Sequence, residues 1–202
     1  MKTLLIVFIV IVTFFLAAQF IVNNSSNKTE QHAYEVIKRF DDIEIRHYSS
    51  ALFTKIRLSG NSYSQVSGKG FRILADYIFG GNAAKEKIAM TTPVSMSFGE
   101  ESEMRFMVPA NYTKEDLPLP NNKEIEFIEE KEKVMAVIKF SGWANDKKIN
   151  QYQEQLIEQL QKNNIKHKGN FSFLGYNPPY QVINRRNEIV VEVEYDQFFD
   201  SK

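Results

Sequence analysis

The chain has 202 residues, 43% of them hydrophobic, with 25 Lys+Arg, 25 Asp+Glu and no cysteine. The lack of cysteine excludes disulfides, thiolate metal sites and Cys nucleophiles. Beyond residue 28 the balance is 23 basic against 25 acidic residues, net −2. No basic field is left to neutralise phosphates, which argues against nucleic acid as a partner.

Leu4 to Val22 is an apolar run of 19 residues, broken only by Thr13 and Gln19. At ~1.5 Å per residue it reaches roughly 28 Å, about the hydrocarbon thickness of a bilayer. It is longer than a signal-peptide core, and Leu16-Ala17-Ala18-Gln19 is a poor cleavage site. Residues 1–23 are therefore expected to be an uncleaved membrane anchor, with a removed signal peptide as the alternative. Lys2 ahead of the run places the domain on the non-cytoplasmic side. Cleavage would leave it secreted or periplasmic. Residues 24–33 read as a polar linker with no core-forming residues, and 34–198 as one domain large enough to bury its own core.

Within the domain, Ile43, Ile45 and His47 share one face of a strand, with Glu44, Arg46 and Tyr48 on the other. A second strand covers about 51–59. Ser59-Gly60-Asn61-Ser62 supplies a turn and helix-capping chemistry. Val66, Gly70, Leu74, Tyr77 and Ile78 then follow helical spacing until Gly80-Gly81 ends the helix. Strands are expected near 91–98 and 103–108, and 117–122 is a connector. "EIEFIEEKEKVMAVIKFSG" reads as two strands joined at a charged turn. A helix over about 146–162 carries Ile149, Tyr152, Leu156 and Leu160 on one stripe. Strands near 171–176 and 188–195 complete the chain; in the last, Ile189, Val191, Val193 and Tyr195 alternate with Val190, Glu192 and Glu194.

"KIRLSG" at 55–60 lies against "VIKFSG" at 137–142, an offset of 82. At that offset Leu74 meets Leu156, Ile78 meets Leu160 and Asn82 meets Asn164. Halves of about 34–116 and 117–198 therefore read as an internal duplication. The expected fold is α+β: a distorted antiparallel barrel-like sheet from two βαβ-type halves with two flanking helices, plus the N-terminal transmembrane helix.

The stretches "YEVIKRFDDIEIRHY", "GFRILADYIFGGN", "KIAMTTPV", "MRFMVP", "LPLP", "VMAVIKFSG" and "GYNPPYQVINRRNEIVVEV" resemble the SOUL heme-binding protein family, in family order over about residues 34–195. The resemblance implies a duplicated, distorted barrel and non-catalytic binding of heme or another tetrapyrrole. It also makes His47, in "EIRHY", a candidate axial ligand of heme iron. A histidine on an apolar strand face hydrogen-bonded to backbone would look the same. Lys69, Arg72 and Arg185 are candidates for the heme propionates, Met90 for pocket lining, and Tyr176 and Tyr180 for flat aromatic contact at the rim of a cleft. Solvated or core positions are the plain alternative for each. His32 and His167 read as solvated.

There is no G-x-S-x-G, H-E-x-x-H or P-loop, and the adjacent pairs Glu100-Glu101 and Glu129-Glu130 point to opposite faces if they lie on strands. No enzyme is expected. A ligand-sensing or protein-interaction module that binds no heme is the second reading.

Overall fold

The computed structural model describes residues 2–99, 101–194 and 198. Helix α1 (Lys2–Lys28) covers the apolar run and continues through 24–28, the first part of the expected linker. Leu4 to Ile11 are all exposed along it. Thr13 satisfies its hydroxyl within the helix by donating to the carbonyls of Ile9 and Val10. The end of the linker is docked rather than free. The Thr92 N–H donates to the Glu30 carbonyl at 2.9 Å, and the His32 N–H donates to the Thr92 carbonyl at 3.0 Å.

The domain runs β1 (Tyr34–Arg39), β2 (Ile43–Tyr48), β3 (Ala51–Leu58), α2 (Tyr63–Ile78), β4 (Val94–Ser97) and β5 (Ser102–Met107). It continues with β6 (Glu126–Glu130), β7 (Lys133–Ser141), α3 (Asp146–Lys162), β8 (His167–Gly175) and β9 (Arg186–Val193). Among the described residues the nine strands form one antiparallel sheet in the order β1-β2-β7-β9-β8-β4-β5-β3-β6. Two short links force it to curl. Residues 131–132 join β6 to β7, and 49–50 join β2 to β3, yet each pair stands six places apart in the sheet. In a flat sheet that separation is about 29 Å at ~4.8 Å per strand. A two-residue link spans only about 10 Å. The sheet therefore bends into a half-barrel, and the charged turn joins β6, paired with β3, to β7, paired with β2 and β9.

Both helices lie on one face, α2 against β3 and β5, and α3 against β7, β8 and β9. The stripe predicted for α2 is buried, with Ala75 added. On α3, Ile149, Leu156 and Leu160 are buried, and Tyr152 is half-buried and stacked on Phe140 at 4.5 Å. These residues join Ile43, Ile45, Ile56, Leu58, Met104, Ile189 and Val191 in the main core. Tyr195 lies outside the described residues.

β3–α2–β4–β5 and β7–α3–β8–β9 are wired alike. In each, the first and second strands flank the third, and β4 pairs with β8 to join the two units. Gly60 and Gly142, 82 positions apart, end β3 and β7 at equivalent turns with φ of 127° and 80°, a region where a Cβ is disfavoured.

Candidate ligand-binding site

The sheet face turned away from α2 and α3 has its own buried cluster: Tyr48, Val137, Leu174, Tyr176 and Val190. Strand alternation puts Arg46 beside Tyr48, and Glu188 beside Val190, on this face. Both charged residues are fully buried. Arg46 donates to Glu188 through Nη1 and Nη2, each at 3.0 Å, a bidentate pair. Its Nε donates to Glu44 at 2.8 Å and its Nη1 to the Tyr48 hydroxyl at 2.9 Å. Glu188 also accepts from the Tyr176 hydroxyl at 2.8 Å and from Arg186 Nε at 2.9 Å. The Tyr34 ring lies 4.2 Å from the Arg46 guanidinium carbon, and the Tyr176 ring 3.8 Å from that of Arg186.

The electrostatics follow from this wiring. Burial works against the Arg46 charge, but Glu188 outweighs it and the guanidinium pKa is raised. Burial, reinforced by Glu188, pushes the Tyr176 phenol well above its usual range. Burial would raise Glu44, yet hydrogen bonds from Lys139 and Arg46 hold its carboxyl at about 2. Every formal charge here is already answered by another side chain, so the network is structural.

Next to it lies a small cavity of about 50 Å³, lined among others by His32, Tyr48, Phe53, Arg105, Lys133 and Met135. His32 was expected to be a solvated spacer residue. Its ring instead packs 4.9 Å from Tyr48 and 5.4 Å from Phe53, and its Nε2 lies 2.8 Å from the Ser49 carbonyl. A carbonyl can only accept, so Nε2 carries the proton and a neutral ring keeps its lone pair on Nδ1. Burial lowers the His32 pKa, which favours that neutral form. Arg105 and Lys133 both donate to Glu130 at the cavity wall.

None of the seven residues singled out in the sequence lines this cavity. His47 is half-buried on the opposite face of β2 and lies 3.5 Å from the Glu132 carboxylate. Lys69 and Arg72 are on the exposed side of α2, and Met90 is half-buried against the main core. Tyr176 belongs to the Arg46–Glu188 network. Tyr180 is exposed, and Arg185 ties down the loop 177–184 through the carbonyls of Pro178 and Gln181. The residues the sequence missed are His32, hidden in a polar stretch, and the buried pair Arg46 and Glu188, which goes against the tendency of charged residues to be exposed.

The sequence pattern described as SOUL heme-binding protein matches residues 29–192. The chain belongs to the SOUL heme-binding protein family. SOUL relatives include "Heme-binding protein 1" of Xenopus laevis, 27% identical over 155 residues, covering 72% of this chain and 80% of the relative. "Heme-binding protein 2" of Mus musculus is 28% identical over 160 residues, covering 72% and 75%. Both carry names of binding proteins rather than enzymes. In three dimensions the SOUL domain is similar to the EcmrR C-terminal domain, with TM-score 0.60, 11% identity, and 80% of this chain and 98% of that one covered. It is also similar to SAV2435 bound to tetraphenylphosphonium, with TM-score 0.51, 12% identity, and 80% and 100% covered. At these identities the likeness concerns the fold. Set against the cavity, heme fits in chemistry but not in room. An imidazole, aromatic surface and two cations are present, but pockets for such ligands enclose roughly 300–1,000 Å³ against about 50 Å³ here.

Proposed function

We propose that this protein binds heme or a related tetrapyrrole without catalysis, in a domain tethered to a membrane by α1. Family membership carries the reading. The tether is supported by an apolar helix that presents its side chains outward and is long enough to cross a bilayer. Lys2 favours a non-cytoplasmic domain; removal of the segment would make the domain secreted or periplasmic. The matching wiring of the two units, with their paired glycine turns, supports an origin by duplication.

The assigned site is the cavity wall rather than the neighbourhood of His47. His32 offers a neutral imidazole nitrogen, and Arg105 and Lys133 offer cations for carboxylates. Binding would require Glu130 to release those two cations and the rim to part. The small volume of this cavity favours a second reading, a sensing or interaction module on the same fold that takes no heme. Titrating the full chain in micelles with hemin separates the two. We expect a saturable Soret shift, about tenfold weaker in His32→Ala, a loss of ~1.4 kcal/mol, and unchanged in His47→Ala. A Soret band that never saturates would leave the second reading standing.

A further inference from the structure

We infer that the loop 177–184 is a second membrane contact, dipping into the lipid interface beside α1 and seating the domain on the bilayer. The inference rests on the reading that α1 spans a membrane.

Gln19, one of two polar residues in the apolar run, is buried. Its Oε1 accepts from the Val182 N–H at 2.8 Å, and its Nε2 donates to the Tyr180 carbonyl at 3.2 Å. Further along α1, Asn23 Oδ1 accepts from Gln181 Nε2 at 3.2 Å, and Ser26 donates to Gln181 Oε1 at 2.8 Å. Residues 19, 23 and 26 fall on one helix face. The loop is thus fixed to α1 at a defined height. Gln19 lies three residues before Val22, about 4.5 Å inside the end of the apolar run. A loop bonded there sits level with the outermost hydrocarbon.

The loop is built for that depth. Lipid gives backbone groups no partners, so they must be satisfied internally. Here the Tyr180 carbonyl is taken by Gln19 and the Gln181 carbonyl by Arg185. The Pro178 carbonyl is taken by Arg185 and the Gln181 N–H, and the Ile183 carbonyl by the Gln181 side chain. The side chains do the opposite. Tyr180, Val182 and Ile183 are 66%, 48% and 41% exposed. A soluble loop has the reverse arrangement, polar side chains outward and backbone wetted. Trp143, 50% exposed, adjoins the loop with its ring 4.2 Å from the Arg185 guanidinium carbon. Trp and Tyr are residue types that populate the bilayer interface.

Trp143 is the chain's single tryptophan, so its fluorescence reports this corner alone. The full chain would be reconstituted into vesicles of phosphatidylcholine brominated either near the carbonyl end or near the methyl end of the acyl chains. We expect strong quenching by the first lipid, weak quenching by the second, and loss of most of the first in Tyr180→Ser/Val182→Ser/Ile183→Ser. Circular dichroism checks that the variant stays folded, and Val182→Ser alone should lose part of the quenching. Extraction with alkaline carbonate separates the two ideas. A chain that stays in the membrane with unquenched Trp143 overturns the loop contact alone, and includes the case where a second copy covers the patch. A chain released by carbonate overturns the anchor and the contact together.

Discussion

Arg46 keeps its charge with no exposed surface because five oxygen contacts are arranged around it, from Glu44, Glu188 and the Tyr48 hydroxyl. Removing one partner of such a pair leaves a buried charge, which typically costs about 3–5 kcal/mol. Arg46→Met should fall near the low end, about 3 kcal/mol, because Arg186 and Tyr176 still serve Glu188. Adding Glu188→Leu to Arg46→Met should recover part of that loss. Denaturant melts of the full chain in micelles measure both; a double variant less stable than the single one would contradict the account. None of this was legible from "EIRHY" alone. Strand alternation correctly put Ile43 and Ile45 in the core, but it treats a charged residue as solvent-facing. Glu188, the partner that reverses this for Arg46, is 142 positions away.

The helices were the most legible elements. Their stripes follow a local period, and the residues on them are buried by whatever sheet lies beneath. Their caps differ in a way the sequence conceals. Asn145 caps α3 by accepting the Lys148 N–H at 2.9 Å. Ser62 stands at the equivalent place before α2 and makes no side-chain cap bond; Gln65 accepts the Asn61 N–H there instead. Asn145→Ala should therefore cost about 1 kcal/mol, and Ser62→Ala within about 0.5 kcal/mol, both read from denaturation midpoints. Equal losses would show that local residue type, not the bond formed, sets the cap. The strands were found by their alternation, but pairing was beyond reach. β6 and β7 are two residues apart and do not pair, because each is claimed by distant strands.

At the scale of the molecule, the two similarly wired units share one sheet across β4 and β8, and their helices feed a single core. Neither unit presents a separate core, so the domain should unfold in one transition. Trp143 reports on the second unit, and far-ultraviolet circular dichroism on the whole. The two should melt together within error, and a fluorescence midpoint clearly displaced from the dichroism midpoint would mean the units unfold separately. The chain by itself determined the apolar N-terminal helix, the element types and the family, because hydropathy, period and motif are properties of neighbours in sequence. Only the folded sheet decided which face each charge occupies, that His32 rather than His47 lines the cavity, and that Gln19 holds a distant loop. Those outcomes depend on bringing together segments distant in sequence, 142 positions for Arg46 and Glu188 and 163 for Gln19 and Val182, and no local pattern records which partner arrives.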